Sequence, residues 1–567
     1  MNRGRQLILT GVTLLAAVAL LTGIGLSERQ LNRIRTEAAL TETTPLENAP
    51  PLIAFTTVAL GGFRGLIADY LWLRSNKLQE DGNYFEMFQL ASWIVKLQPR
   101  FTGATAFLAW NMSYNISVTF NSFEDRWRWV KRGLELIRDE ALLYNPNDPE
   151  LFKELAWIYL HKVGQDMDDA NRYYKTQMAK SLTAILGEEP TNWSELAAAP
   201  RSLADVTGDP GLPALAKRLA ETGLDAAAVE RSFRAADGVL PPAVAASLSP
   251  AEQQRFETCL RARWLRDAYK LDPVAVLAMN RRYGPLDWRL PQTHAVYWAT
   301  RGISAAPKGQ DLLGCERIIF QGLNACFKTG RLLYLKDLES LETTPNIGLF
   351  TAANQSYLDA MARHTDNASI RGGYENFLID SIVIFYTFGQ YRQATDLMKK
   401  AHALFPGPKF AGPLDEFALA QLAEDMTMAT NAQAQASIQG YIMQSCYALA
   451  FNDPDRAAAF EGIARKLWQK YMGGIGKSTV ERRGLAPYES MKRNATLQCL
   501  QRFPPGLASR LRAALGASFQ EPAAPLKMAN GNTETGKMAP VSLGPRLDLA
   551  APPPPAEAEP APVGPRR

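Results

Sequence analysis

Along most of this chain apolar residues return every three or four positions, the spacing of one helix face, and no stretch sustains the alternation of a β-strand. Proline and glycine punctuate the pattern. Asp148-Pro149 reads as a cap and first turn. Ser249-Pro250 opens a helix that should end before Asp272-Pro273, where another begins. A helix following Pro291 is predicted to stop at Gly302, and one opening at Asp453-Pro454 to stop at Gly473-Gly474. The segment DRWRWVKRGLELIRDEALLYNP is amphipathic with helical period.

One stretch, GQYRQATDLMKKAHALFP, carries Ala394 and Ala401 seven apart, between Gly389 and Pro406. Seven residues are about two turns, so both alanines lie on one face, where small side chains let a neighbouring backbone approach. Gly389 ends the helix before it, and Pro406 stops the second. The rhythm returns at Gly82, Tyr84 and Pro99, with Met87 and Ile94 in place of alanine. It returns again at Phe152, Leu155, Ala156 and Tyr159, followed after two extra residues by Ala170 and Tyr174.

This pattern resembles the tetratricopeptide repeat (TPR), a 34-residue helix–turn–helix unit. Leu378, Ser381 and Ile382 depart from its first-helix Trp and Leu-Gly positions. The resemblance implies an all-α solenoid of antiparallel helical hairpins, which stack because none buries its apolar face alone. It also implies a partner-binding groove lined by Asp69, Trp72, Asn76, Lys153, Trp157, His161, Asn376 and Tyr386. Lys153 and Asn76 are residue types with which such grooves clamp a peptide carboxylate, although the full clamp is not present.

The chain begins with Arg3 and Arg5 before an uncharged apolar run from Leu7 to Leu26, long enough to span a bilayer. The run ends in GIGLSERQ, a poor cleavage site, and no cysteine follows it. An uncleaved signal anchor is expected, N-terminus in the cytoplasm and the bulk of the chain outside, though Arg29, Arg33 and Arg35 oppose that orientation. The segment Pro51–Arg74 is apolar but holds Arg64 and Asp69. It is expected to be a buried or interfacial helix rather than a second span, with these two as a buried pair or as a cap of the array against the membrane.

The expected organisation is thus a 1–6 cytoplasmic segment, a 7–26 transmembrane anchor, a 27–51 linker, TPR-like helices over 52–186 and 249–518, an Ala-rich helical insertion over 187–248, and a Pro/Ala-rich disordered tail over 519–567.

A net charge of +5 over 567 residues is too small for a dedicated nucleic-acid surface. The five cysteines form no CxxC pair, although Cys315 and Cys326 could share a helix face or meet across a turn. Gly476-Lys477-Ser478 imitates a phosphate loop, but Tyr471 stands where the loop needs glycine and a helical segment precedes it. His161, His294, His364 and His402 are scattered without metal-ligand spacing, and no GxSxG occurs. No cofactor, metal or catalytic residue is expected. Aromatic clusters stand out instead: AWNMSYN, DRWRWV, LAWIYL and VYWAT. The functional expectation is a non-enzymatic, membrane-anchored scaffold or adaptor that holds a protein or peptide, as an assembly or chaperone-like factor of a cell envelope. The alternative is an envelope accessory protein that stacks glycans on its aromatic side chains.

Overall fold

A computed structural model of this protein describes residues 63–97, 101–187, 191–335, 340–423, 431–474 and 485–516, with residue 519 and scattered positions between 16 and 34. The apolar run 7–26 lies mostly outside the described residues, as do the phosphate-loop-like Gly476-Lys477-Ser478 and nearly all of the 519–567 tail. Among the described residues no helix is long and apolar enough to cross a membrane.

Among the described residues the fold is all-helical apart from one small hairpin. The first helices are α1 (Phe63–Glu80) and α2 (Tyr84–Leu97), then α3 (Thr102–Asn111), which runs on as a π-helical stretch (Met112–Ile116). α4 (Phe123–Glu135) continues through a π-helical stretch (Leu136–Ala141) into a last turn (Leu142–Tyr144), and α5 (Pro149–Trp157) continues as a third (Ile158–Val163). After α6 (Asn171–Leu186) come five short helices, α7 (Trp193–Ala198), α8 (Leu203–Thr207), α9 (Leu215–Glu221), α10 (Ala226–Ala235) and α11 (Pro242–Ala246). Long helices then resume with α12 (Pro250–Tyr269), α13 (Pro273–Tyr283), α14 (Pro291–Ala305) and α15 (Leu313–Thr329). Strands β1 (Arg331–Leu335) and β2 (Ser340–Thr344) precede α16 (Phe350–Arg363), α17 (Ala368–Thr387), α18 (Tyr391–Leu404) and α19 (Leu414–Ala423). The last elements are α20 (Asn431–Ala450), α21 (Pro454–Gly474), α22 (Tyr488–Arg502) and α23 (Pro505–Leu515).

Sequence neighbours α1–α2, α14–α15, α17–α18 and α20–α21 pack as hairpins. In α17–α18 the turn is closed by the Gly389 and Gln390 amides, which donate to the Tyr386 and Phe385 carbonyls at 3.0 and 2.8 Å, with Gly389 at φ +72°. Ala394 and Ala401 are fully buried, as their spacing predicts.

Local signals set the helix starts. Asp148 accepts from the Glu150 amide at 2.9 Å. Ser249 and Glu252 form a reciprocal capping box. The predicted stop at Gly302 is incorrect, since α14 runs on to Ala305. A Cβ at Gly302 would stand 2.7 Å from Phe152 Cβ and 3.1 Å from Cys315 Sγ, so this glycine permits a close approach of α14 to α5 and α15 instead of ending a helix.

The antiparallel β1–β2 pair, with Arg331 opposite Thr344, went unanticipated. RLLYL has no alternation to announce it; a tertiary contact holds it, the Leu332 amide donating to Asp287 Oδ2 at 3.0 Å.

One core runs from Leu71 to Ala495 through the long helices. A second is confined to residues 196–262, where Val206, Leu215, Leu219, Val229, Phe233 and Val244 pack on Phe256 and Leu260 of α12. A third, small one gathers Cys446, Cys499, Phe503 and Leu511 at the end of the chain of helices. α5 packs directly on α14, although α6 to α13 intervene in sequence. Arg261 of α12 ties the two larger bodies together. Its guanidinium donates to the Ala184 and Ile185 carbonyls, in the last turn of α6, at 2.9 and 3.1 Å, and to the Gly238 carbonyl at 3.0 Å.

Candidate functional site, a strip of aromatic rings

The π-helical stretches fall in one region, and two of them carry polar groups to its surface. In α3 and its extension, Phe107, Trp110 and Tyr114 are spaced three and four apart and therefore share a face. Trp110 stacks on Tyr114 with centroids 5.3 Å apart, and Phe107 lies 6.3 Å from Trp110. At one end Trp72 of α1 joins Phe107 at 5.4 Å and Phe101 at 6.4 Å. At the other end Tyr114 meets His161, whose ring stacks on Trp157 at 4.4 Å and 15°. The result is a continuous series, Phe101–Trp72–Phe107–Trp110–Tyr114–His161–Trp157. Phe101 and Phe107 are each 45% exposed and the other rings are half-buried, so the series reaches solvent.

Electrostatics keep the strip neutral. Burial, then the nearby Glu154 carboxylate, push the Tyr114 hydroxyl up, so it stays protonated and serves as a donor. Burial, then the Lys162 ammonium, pull the His161 imidazole down. Tyr114 Oη and His161 Nδ1 are 3.1 Å apart, which fits a phenol donating to a neutral imidazole whose proton is on Nε2. Beneath the rings, Lys162 is buried and donates to Asp168 Oδ2 at 2.6 Å, with its ammonium 5.5 Å from the Tyr114 ring centroid. Burial alone would raise the Asp168 carboxyl, but the Lys162 ammonium, the Ala170 amide and the Tyr174 hydroxyl hold it down at about 2. Arg126 completes this pair at 3.1 Å. The charge under the strip is thus internally compensated.

Of the residues the TPR frame assigns to a groove, Trp72, Trp157 and His161 lie in the strip. Asn76 is one turn beyond Trp72, and Lys153 one turn before Trp157, at the two ends of the series. Lys153 pairs with both Glu150 and Glu154 (3.0 Å to the latter), so its ammonium already has carboxylate partners. Asp69 is exposed on α1, which removes the expectation that it forms half of a buried pair with Arg64. Asn376 and Tyr386 are elsewhere, on α17. Asn376 is exposed, whereas Tyr386 is 1% exposed and accepts from Lys466 Nζ at 2.7 Å, so it faces the α21 side of the core and lines no open surface.

The aromatic clusters sort cleanly. Trp110 and Tyr114 of AWNMSYN and Trp157 of LAWIYL are in the strip. Trp129, Tyr159, Tyr297 and Trp298 are core, and Trp127 stacks on buried Tyr174 at 5.7 Å. Phe107, Trp110 and Tyr114 were not among the groove residues because their helix lies outside the repeat frame; their spacing was the available signal. Cys315 and Cys326 do lie on one helix, α15, but face different neighbours, the Pro149 carbonyl at 3.6 Å and Thr293 Oγ1 at 3.7 Å. All five thiols are free. No family model, no curated protein and no solved structure matches this chain.

Proposed function

We propose that this protein is a helical-hairpin adaptor that holds an apolar, aromatic-rich segment of another protein along the strip from Trp72 to Trp157, tethered to a membrane by residues 7–26. The single observation that carries the reading is the half-exposed ring series with its charges compensated beneath it. Such a surface offers stacking and apolar area to a neutral partner, and its described lysines, Lys153 and Lys162, are already paired with carboxylates. Accordingly the reading drops the carboxylate clamp and keeps the peptide. The hairpins and the small residues between them support a TPR-like arrangement, and the role remains that of a scaffold or assembly factor without chemistry of its own.

A photo-crosslinking residue placed at Phe107, with a second version at Asn376 as control, tests it in detergent-solubilised membranes. The expected result is one protein adduct from position 107, lost on Trp72→Ala/Trp157→Ala, and none from 376. Equal adducts from both positions would sink the proposal. The competing glycan reading draws on the same half-exposed rings, since sugars stack on aromatic faces. It is favoured by no protein adduct together with retarded migration in polysaccharide-containing gels that the double substitution abolishes.

A further inference from the structure

We propose that Cys446 and Cys499 form a reversible dithiol–disulfide site that staples α20 to α22 at the end of the helical chain. Both thiols are buried in the same small cluster, with Ala450, Phe503, Leu507 and Leu511 around them. Cys446 Sγ lies 3.7 Å from Thr496 Oγ1, and Cys499 is the next residue on that face of α22, one turn on. α20 and α22 pack on each other, so the two thiols enter one apolar cluster from facing helices, and a disulfide there needs their Cβ atoms about 4 Å apart. No other pair is so placed. Cys259 sits in the separate 196–262 core, and Cys315 and Cys326 face different partners.

The exchange has the same form whichever thiol attacks first; with Cys446 as the attacking thiolate, Cys499 is the resolving thiol. The oxidant is a disulfide, either a small one or that of a thiol–disulfide oxidoreductase. Cys446 thiolate displaces one thiolate from it and forms a mixed disulfide. Cys499 then gives up its proton and attacks the Cys446 sulfur, expelling the second thiolate. Two protein thiols lose two electrons and two protons, and the oxidant's disulfide becomes two thiols.

Access is the remaining requirement. The cluster lies outside the main core and is built by the end of α20, the second half of α22 and α23. A local opening in which α23 and the last turns of α22 leave α20 therefore exposes the thiols while Tyr488, Met491 and Ala495 stay in the main core.

The test uses the full chain, incubated with oxidised glutathione or with a phosphine reductant, digested without reduction and mapped by mass spectrometry. A Cys446–Cys499 linked peptide is expected, with Cys259, Cys315 and Cys326 still alkylatable. The thermal midpoint should rise by several degrees on oxidation, because the bond removes freedom from the unfolded chain. Cys446→Ser and Cys499→Ser should each abolish that rise. Five alkylatable thiols after oxidation, at a temperature where amide exchange shows α22–α23 opening, would overturn the proposal. So would a disulfide between any other pair. The peptide map of the unsubstituted chain decides the matter even where a serine variant fails to fold.

Discussion

Residues 191–248 and residues 102–163 are both helical, and side-chain caps start helices in both, Ser122 and Asp148 among them, but the regions differ in what shapes the helices after their starts. In the first region the helices are short, with a cap at nearly every start. Asn192, Ser202 and Asp225 accept from the amides of Glu195, Asp205 and Ala228. Ion pairs then fix the pieces to α12, as with Arg218 on Glu252 at 2.9 and 3.1 Å and Arg255 on Asp209 at 2.9 Å. In the second region long helices pass through π-helical stretches that no side chain caps. Packing shapes them: a Cβ at Gly133 of α4 would collide with Ser113 Oγ and stand 2.6 Å from the Ala109 carbonyl. Local coding gives a self-contained body with its own core. Tertiary shaping gives wide turns that project Tyr114 and His161 side by side and bury Lys162 beneath them. π-helical turns of this kind concentrate at functional positions.

The comparison is broken most sharply at Lys162. If the second region depends on long-range pairing, Lys162→Met should cost about 3–5 kcal/mol, because it leaves Asp168 buried with fewer partners. Urea unfolding reads the loss, and the binding function of the strip should fall with it. A loss below that of one helix cap would mean that Arg126 and Tyr174 hold Asp168 unaided.

A smaller effect is expected from pH. His294 is fully buried among Tyr159, Tyr269 and Trp288, with Nε2 donating to the Trp288 carbonyl at 2.8 Å and no partner at Nδ1. Burial, with a further contribution from Arg138, pulls its imidazole down to about 4. Its ordinary value is about 6.5. As pH falls between these values the unfolded chain takes the proton first, so stability is complete above 6.5 and declines towards 4. The decline attributable to this group is about 3 kcal/mol, at 1.4 kcal/mol per pKa unit. Unfolding free energies measured across that window should fall less steeply for His294→Gln. An unchanged slope would exclude His294 as the cause.

The smallest effect sharpens the other side. Ser249→Ala and Asp225→Ala each remove a cap and should cost about 1 kcal/mol, with the crosslink from Phe107 unaltered. A cap substitution that silenced the strip would show that the two bodies are coupled, through Arg261 or through contacts such as Trp193 on Trp288.

The same contrast explains what was legible in the sequence. Caps, prolines and glycines are local, so the starts at Pro149, Pro250, Pro273 and Pro454 were readable, and so was the buried face of Ala394 and Ala401. Gly302 misled because a glycine that permits a crossing looks the same as one that ends a helix. The β-hairpin was hidden because Asp287, far away in sequence, supplies its anchor. For the site, the TPR frame named Trp72, Trp157 and His161 among its groove positions, and these three share the ring series. That frame could not reveal that Phe107, Trp110 and Tyr114 join them, since that depends on how α3 lies against α1 and α5. Nor could it show that Tyr386 turns inward to Lys466.

The packing of α5 on α14 has a consequence for the order of events during synthesis. Residues 149–157 leave the ribosome with only part of their apolar face covered, by 102–111 and 136–141, and the rest of the cover arrives only with residues 291–305 and 313–329. In the interval the 196–262 body, whose contacts are local, folds first, because closing long loops is slower than forming near contacts. The region bearing the strip is thus born early and completed late. In that window Leu151, Phe152 and Leu155 are exposed to chaperones and to misassociation. Slowing translation between residues 249 and 305 lengthens that exposure.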